Sequence, residues 1–243
     1  MKKNSNLGTW VTTFNPDFLE VLSNTGFGWI AIDMEHSCIS IKEFYILVGI
    51  SKKLKLETFV RLDKSDHILI KKSLDSGVDG IIFSLVNTVS DVEKIRDLSL
   101  YSPLGNRGVA LARPQLFGLK FQEYLNSSNR KLKIILQIES KSGIDNLDKI
   151  LKLRNIFGVI LGSYDLSSSL GKIGNFQSKD FKNYKNKFFN ISKKHKTKIG
   201  IHLADYNLKL DHKNVSRYDF YAIGTDNIIQ IKECQRIRKI IKN

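Results

Sequence analysis

The feature that most constrains the fold is a regular alternation of short apolar runs and amphipathic segments along the chain. An apolar run bounded by polar residues is typical of a buried parallel strand, and parallel strands need crossovers between them. The predicted strands are Gly8–Thr12, Trp29–Asp33, Thr58–Arg61, Gly80–Phe83, Lys133–Ile138, Gly158–Gly162, Lys198–Leu203 and Asp219–Gly224. The predicted helices are Pro16–Asn24, Ile41–Leu54, His67–Ser76, Ser90–Leu98, Gly143–Leu151, Phe181–His195 and Asn227–Lys242. Eight strands with helical crossovers predict an α/β protein with a (β/α)8 TIM barrel.

One long segment, Tyr101–Gly118, interrupts the alternation after the fourth predicted strand. Loops of this length in compact domains are often functional. It carries Arg107 and Arg113, which we expect to brace the loop or an interface. The segment Asn207–Arg217 is weakly patterned, so the helix after the seventh strand is the least clearly marked element.

Composition is that of an ordinary globular protein: 42% of the 243 residues are hydrophobic and 26% are charged. Barrels of this class typically have about 250 residues, which favours one domain spanning residues 1–243. No apolar stretch reaches the roughly 18 residues that a membrane span needs. No apolar run of signal-peptide type follows the N-terminus, and Cys38 and Cys234 are too few for a disulfide framework. We therefore expect a cytoplasmic protein, with Cys38 buried as a small apolar residue.

The net charge of +15 raises the question of a nucleic-acid partner. The lysines are scattered over predicted helix faces, and no zinc-finger pattern or basic-aromatic stripe accompanies them. Charge alone supports only non-specific attraction to polyanions. We expect no specific nucleic-acid partner, although a non-catalytic polyanion-binding protein is kept as one hypothesis.

Two acidic signatures follow neighbouring predicted strands. Glu139 closes Gln137-Ile138-Glu139, and Asp165 lies in Gly162-Ser163-Tyr164-Asp165. Consecutive strands of a β/α protein point the same way, so both carboxylates should emerge at one rim. Paired carboxylates there suit a hard cation such as Mg²⁺ or Mn²⁺, with substrate oxygens completing the shell. The alternatives are a solvated rim residue for Glu139 and a helix N-cap for Asp165.

Further chemistry-bearing residues fall at the ends of the other predicted strands, where the active sites of barrels lie. They are Asp33, Glu35, His36, Arg61, Ser84, Gln137 and His202. Arg61 could form an ordinary salt bridge, and His36 could be a core histidine with a satisfied hydrogen bond. A lysine-based aldolase is disfavoured, because Lys133 begins its strand and Lys141 lies in a polar loop.

Several ordered motifs resemble the HpcH/HpaI family of class II, metal-dependent pyruvate aldolases, from about Gly8 to Gly174 and more loosely to the end. The motifs are Gly26-Phe27-Gly28-Trp29, Ile32-Asp33-Met34-Glu35-His36, Val60-Arg61, Leu74-Asp75-Ser76-Gly77, Tyr101-Ser102-Pro103-Leu104-Gly105-Asn106-Arg107-Gly108, Gln137-Ile138-Glu139 and Asp165-Leu166-Ser167-Ser168-Ser169-Leu170-Gly171. The resemblance implies a modified (β/α)8 barrel of the phosphoenolpyruvate/pyruvate superfamily. It also implies a homo-oligomer, a hexamer arranged as a trimer of dimers, with a terminal helix exchanged between subunits.

The resemblance also implies roles for individual residues. Glu139 and Asp165 match the ligands of a divalent metal ion (Mg²⁺, Mn²⁺ or Co²⁺), and Arg61 matches the arginine that stabilises the enolate. His36 matches the base, and Asp75 matches a carboxylate that supports this base across a subunit boundary. On its own, Asp75 also suits a helix-terminal turn. The positions matched to metal-bound water or to substrate are Asp33, Gln137, Gly162 and Ser163.

The chain departs from the family pattern at several points beside the predicted pocket. Ser163 and Ser84 stand where the family commonly has proline, and His202 and Asp205 have no counterpart. These differences concern the choice of the aldehyde that accepts the enolate more than the chemistry of the reaction. The function predicted is a metal-dependent aldolase that cleaves or forms a 4-hydroxy-2-oxo acid from a pyruvate enolate and an aldehyde. The alternative is a related barrel enzyme using another 2-oxo acid or a phosphoenolpyruvate-like donor, for example in acidic-sugar synthesis.

Overall fold

Eight parallel strands close into a barrel in the computed structural model, which describes residues 4–203 and 217–242. The strands are β1 (Asn4–Val11), β2 (Phe27–Asp33), β3 (Glu57–Asp63), β4 (Gly80–Ser84), β5 (Lys133–Ile138), β6 (Gly158–Leu161), β7 (Lys198–Leu203) and β8 (Phe220–Thr225). Each strand pairs with the next along the chain, and β8 pairs with β1. The predicted (β/α)8 barrel is confirmed. A single domain over residues 1–243 stays a prediction.

Helices cover the outside of this barrel. They are α1 (Pro16–Asn24), α2 (Ile41–Lys53), α3 (His67–Ser76), α4 (Val89–Ser99), α5 (Phe121–Lys131), α6 (Lys141–Ile150), α7 (Ser163–Ser169), α8 (Lys179–Lys194) and α9 (Asp226–Lys242). A 3₁₀ helix, Arg113–Gly118, precedes α5. Residues 207–216 of the weakly patterned segment lie outside the described residues.

Two helices were not predicted from the sequence. Ser128 is the buried residue of α5, so this helix has no apolar stripe for periodicity to reveal. The other, α7, has 7 residues, too few to establish a helical period. A third difference is a boundary: α6 begins at Lys141, before the predicted Gly143, because the Ser140 hydroxyl accepts the Gly143 N–H at 2.9 Å as an N-cap.

The seam between β8 and β1 is held by side chains as well as by strand pairing. Thr9 Oγ1 donates to the Ile223 carbonyl at 2.8 Å. Asp226, at the start of α9, is fully buried, and its carboxylate accepts the backbone N–H groups of Thr12 (3.0 Å) and Thr13 (2.8 Å). The hydroxyls of the same two threonines donate to it at 2.5 and 2.6 Å. This carboxylate is therefore buried with its oxygens satisfied, as buried charge requires.

The barrel interior is packed mainly with large apolar side chains from alternate strand positions. Its members are Trp10, Trp29, Ala31, Phe59, Ile82, Ile135, Ile160, Phe220 and Ala222. Glycines on neighbouring strands make room for the rings: a methyl at Gly8 would overlap Trp29, and one at Gly200 would overlap Phe220. The Trp29 ring meets Phe220 edge-on, with centroids 6.1 Å apart. The interior is therefore filled by aromatic rings that pack against glycines of neighbouring strands.

The segment Tyr101–Gly118 lies at the N-terminal ends of the strands. It follows α4, and helices of a β/α barrel run back from the C-terminal rim to the opposite end. Arg113 stacks 3.4 Å from the Tyr45 ring centroid and donates to the Tyr45 carbonyl at 2.7 Å. Arg107 pairs with Asp75 at 3.2 Å. The expectation that both arginines brace this loop is confirmed.

Two further expectations can be compared with the described residues. None of the described helices combines the length and the apolar character needed to cross a bilayer. Cys38 is exposed, so the expectation that it is buried was wrong. It lies between β2 and α2, in the polar turn beyond the rim, where neighbouring helices do not cover it.

Replacing Gly200 by alanine should destabilise the barrel by about 1–3 kcal/mol, the usual cost of overpacking, because the new methyl meets the Phe220 ring. Denaturant unfolding measures this. Gly108→Ala is the matched control, since its methyl would meet only the end of the Lys71 side chain, at an ordinary contact distance of 3.9 Å. In a Phe220→Leu background, Gly200→Ala should lower the free energy of unfolding by less, because substitutions at residues in contact are not additive. An equal cost in both backgrounds would contradict this packing account.

Candidate active site

Glu139 is a deeply buried carboxylate at the rim formed by the C-terminal ends of the strands. It follows β5 and is 4% exposed. Its Oε1 accepts the Leu85 backbone N–H at 2.6 Å, and its Oε2 accepts the side-chain amide of Gln137. Burial raises the pKa of Glu139, against the two hydrogen bonds, and the carboxylates of Asp165 and Glu35 raise it further. Glu139 is thus a fixed carboxylate in a crowded, negatively charged environment.

Asp165 lies in the first turn of α7, directly after β6. The N-cap of that helix is Gly162, so the alternative of Asp165 as an N-cap was wrong. Asp165 is exposed at the mouth of a cavity that Gln137 and Gly162 also line. Asp165 and Glu139 follow neighbouring strands and so lie at one rim, and the charge of Asp165 raises the pKa of Glu139.

The surroundings of this pair fit a hard cation. The side-chain oxygen of Gln137 is buried without a hydrogen-bond partner. A Cβ at Gly162 would lie 2.6 Å from Glu139 Oε2, so only glycine leaves the carboxylate free on that side. Among the described residues, no three His, Cys, Asp or Glu side chains form a complete metal cluster. Two protein carboxylates, with water and substrate oxygens, would then make up the shell.

Arg61 is buried at the end of β3 and is held on several sides. Its Nε and Nη2 donate to the two oxygens of Asp33 at 2.9 and 2.5 Å, and its Nη1 lies 3.1 Å from Glu35 Oε2. The guanidinium stacks 4.6 Å from the Trp10 ring centroid. Asp33 also accepts the backbone N–H of His36 at 3.2 Å, which fixes the turn after β2. Both oxygens of Asp33 are engaged by Arg61. A contact of Asp33 with substrate stays a prediction.

Glu35 and Ser84 are site residues to which the sequence assigned no role. The Ser84 hydroxyl donates to Glu35 Oε1 at 2.8 Å, while the other Glu35 oxygen faces Arg61. The signal available in the sequence was their position at strand ends. Ser84, which replaces a proline of the family pattern, thus helps to hold a carboxylate beside the cation.

His36 and Asp75 are not brought together within one chain. His36 is exposed just beyond the end of β2, at the C-terminal rim. Asp75 lies in the last turn of α3, at the opposite end of the barrel, where it pairs with Arg107. A contact between them requires two subunits, which is how the resemblance presented it. Their pairing stays a prediction.

A cavity of about 470 Å³ opens beside these residues. Its lining comprises Trp10, Arg61, Gln137, Ile160, Leu161, Gly162, Ser163, Tyr164, Asp165, Phe176, Phe181, Lys185, Ile201, His202 and Leu203. It brings together five of the predicted site residues: Arg61, Gln137, Gly162, Ser163 and Asp165. Asp205 lies outside the described residues.

His202 forms one wall of this cavity. Its ring stacks on Trp10 with centroids 4.6 Å apart, and its Nε2 lies 3.0 Å from the Gly224 carbonyl, so Nε2 carries the proton. Burial lowers the pKa of His202 to about 4, and nearby Arg61 contributes in the same direction, against the Gly224 hydrogen bond and Asp33. The imidazole is therefore neutral at pH 7, with Nδ1 left as an acceptor.

The sequence pattern of the HpcH/HpaI aldolase/citrate lyase family matches residues 6–227. This chain belongs to that family. HpcH/HpaI aldolases of class II are metal-dependent carbon–carbon lyases. A relative from Escherichia coli, named 5-keto-4-deoxy-D-glucarate aldolase, is 32% identical over 227 residues, which cover 92% of this chain and 87% of the relative.

Solved structures share the fold of this HpcH/HpaI family member. A family protein from Burkholderia cenocepacia matches with a TM-score of 0.90 at 24% identity, covering 98% of this chain and 94% of that one. The citrate synthase SbnG matches with a TM-score of 0.86 at 21% identity, over the same shares of the two chains. Since proteins with differently named reactions share this barrel, the reaction has to be argued from the site.

The neutral His202 should make the protein acid-sensitive. The unfolded histidine has a pKa near 6.5 and the folded one about 4, so between these values the unfolded chain binds the extra proton. Stability is then lost as the pH falls through this window. We expect the Tm of His202→Phe, which keeps a ring on Trp10, to fall less from pH 6.5 to 4 than that of wild type. His67→Phe, on the exposed surface, is the control. An equal change of Tm with pH in His202→Phe and wild type would contradict a neutral, buried His202.

Proposed function

We propose that this HpcH/HpaI family member is a metal-dependent pyruvate aldolase that cleaves or forms a 4-hydroxy-2-oxo acid, with an aldehyde as the second partner. The observation that carries the proposal is that Asp165 and the clamped Arg61 line one cavity, at the rim where the buried carboxylate of Glu139 also lies. A pyruvate enolate needs both a polarised carbonyl and a cation beside the developing negative oxygen.

Glu139 and Asp165 are the proposed ligands of a divalent cation, Mg²⁺, Mn²⁺ or Co²⁺. The bound ion supplies Lewis acidity toward the carboxylate and keto oxygens of pyruvate. Gln137 fits beside it, since its amide fixes Glu139 and its free oxygen can accept from a water. Gly162 keeps the space next to Glu139 open.

Arg61 is proposed to stabilise the enolate oxygen. A guanidinium has five N–H groups; Asp33 accepts two of them and Glu35 lies 3.1 Å from Nη1 as an ion pair, which leaves N–H groups on both Nη atoms for a substrate oxygen. The two carboxylates and the Trp10 stack hold the guanidinium in place before substrate arrives, so little reorganisation is needed at the reaction step. Asp33 acts here as a positioning residue.

Ser163 and Gly162 are proposed to hold the carboxylate of pyruvate. Ser163 begins α7 directly after its N-cap Gly162, beside the Glu139–Asp165 pair, and the first N–H groups of a helix have no partner within it. Both residues line the cavity. Ser163 stands where the family commonly has proline, so this chain has an extra N–H and a hydroxyl at that point.

His36 is proposed as the base that moves the proton of the aldehyde-derived hydroxyl, with Asp75 of a neighbouring subunit keeping its ring oriented. Support for subunit contact comes from exposed apolar side chains near Asp75. They are Leu104, Val109, Leu111, Leu116, Phe117 and Leu119, the last 88% exposed. Exposed apolar patches of this kind mark interfaces.

The terminal helix supports an oligomer as well. α9 exposes Ile231, Ile237, Ile240 and Ile241, which suits exchange of this helix between subunits in the proposed hexamer, a trimer of dimers. For the substrate we propose an acidic, sugar-derived 2-oxo acid of the type named for the relatives. Action on another 2-oxo acid or a phosphoenolpyruvate-like donor is the alternative, and a cytoplasmic location stays a prediction from the sequence.

Exchange of pyruvate methyl protons in deuterated water, followed by NMR, tests the function without needing the aldehyde. Exchange should stop on chelation and return with Mg²⁺, Mn²⁺ or Co²⁺. Glu139→Gln and Asp165→Asn should each weaken metal binding by more than the roughly 10–100-fold typical of outer-shell residues. Asp145→Asn, an exposed carboxylate on α6, is the control. Full exchange in the two site variants under chelation would overturn the metal assignment.

The His36–Asp75 pair calls for a complementation test. His36→Ala and Asp75→Asn should each abolish aldol cleavage, and mixed oligomers of the two should recover part of it, because some interfaces then contain one intact pair. The activity of verified mixtures is compared with each variant alone. Folded, inactive single variants that give no recovery when mixed would argue against a shared site.

A further inference from the structure

The cavity does not end at Asp165. It continues past α7 toward α8, where its wall is aromatic: the rings of Tyr164 and Phe176 meet edge-on with centroids 5.1 Å apart, and those of Phe176 and Phe181 are tilted with centroids 5.3 Å apart. Lys185, one turn beyond Phe181 on α8, lines this far part. Pyruvate is too small to occupy the whole of about 470 Å³, so this part remains for the aldehyde half of the substrate.

Lys185 is half-buried and, unlike Lys187 and Lys194 of α8, pairs with no carboxylate among the described residues. Lys187 pairs with Asp145, and Lys194 pairs with Asp148 at 2.7 Å, both on the outer surface. No hydrogen bond or ion pair of the Lys185 ammonium occurs in the part of the chain that the structure describes. Burial lowers the pKa of Lys185, and the neighbouring charge of Arg217 lowers it further. A half-buried ammonium that meets another cation and no carboxylate is costly without a ligand.

Arg61, the other cation of the lining, is already compensated. Asp33 and Glu35 place two carboxylates against it. An anionic group on the far half of a substrate would therefore find uncompensated positive charge at Lys185. The aromatic wall lowers the local dielectric, which strengthens this attraction.

We propose that Lys185 is the specificity residue for the acceptor: it binds a carboxylate on the far end of the substrate, so that the enzyme selects acidic aldehydes over neutral ones. The inference rests on the proposed aldolase function and deepens it. The aldehyde carbon meets the enolate near Arg61, and the carboxylate at the other end of the aldehyde reaches α8.

The kinetic test compares 4-oxobutanoate with pentanal, an acidic and a neutral acceptor of similar length, in aldol addition to pyruvate. Lys185→Met should lower kcat/KM for 4-oxobutanoate by about 10- to 100-fold, the range for losing a hydrogen bond to a charged group, and leave pentanal unchanged. Lys185→Arg should retain most of the preference. Lys182→Met removes the same charge from the exposed face of α8 and controls for general attraction by a +15 protein.

A binding measurement that needs no turnover accompanies the kinetics. Titration calorimetry of the metal-loaded enzyme compares 2-oxoadipate, which carries a second carboxylate, with 2-oxohexanoate, which does not. Wild type should bind 2-oxoadipate more tightly, and Lys185→Met should lose that difference. Thermal unfolding verifies that each variant is folded, and Lys185→Gln replaces Lys185→Met should the latter fail to fold.

The outcomes separate the two proposals. Loss of pyruvate proton exchange in wild type would overturn the aldolase function itself. Normal exchange with equal losses for both aldehydes, or with no loss for either, would overturn the role of Lys185 alone. The same would follow if Lys182→Met reproduced the selective loss, or if wild type bound the two 2-oxo acids equally well.

Discussion

The return of β8 to β1 is the constraint on which the rest of the molecule depends. A parallel barrel needs its last strand to reach its first, and here Asp226 holds the seam by accepting four hydrogen bonds from Thr12 and Thr13. Thr9 ties β1 to the end of β8 as well. Closure is what turns consecutive strand ends into a ring, so that Arg61 on β3, Gln137 on β5 and His202 on β7 line one cavity. Without it the same residues would lie along the edge of an open sheet.

The charged side chains at the C-terminal rim form two groups, one with its charges paired and one without. Arg61 is surrounded by Asp33 and Glu35, which neutralise and orient it. Glu139 has no cationic partner in the described residues; burial and its acidic neighbours Asp165 and Glu35 disfavour its charged form. A divalent cation held by Glu139 and Asp165 would relieve that repulsion and would supply the Lewis acidity that enolisation requires. The uncompensated negative charge at Glu139 and Asp165 therefore favours metal binding, and the bound metal ion would take part in the proposed chemistry.

The two ends of the barrel carry different kinds of residues. The C-terminal rim holds the residues of the proposed chemistry, whereas the opposite end holds the loop braced by Arg107 and Arg113, with exposed apolar side chains. Asp75 lies at this second end, remote from the His36 of its own chain. A site assembled from both ends would make the oligomer a requirement for activity and not only for stability.

The sequence by itself determined the elements and their order, because apolar runs such as Ile134-Ile135-Leu136 have one favourable place, inside a parallel sheet. It also indicated Glu139, Asp165 and Arg61, since the direction of parallel strands puts their ends at one rim. The family pattern then supplied His36 and Asp75. What it did not reveal were α5 and α7, which lack a long apolar period, and the partners Glu35, Ser84, Trp10 and Lys185. Those depend on contacts between residues far apart in the chain: Ser84 meets Glu35 across 49 positions, and Lys185 reaches the cavity only because α8 packs beside β6 and β7. Local pattern fixes which residues stand at the rim, but only the closed barrel decides which of them touch.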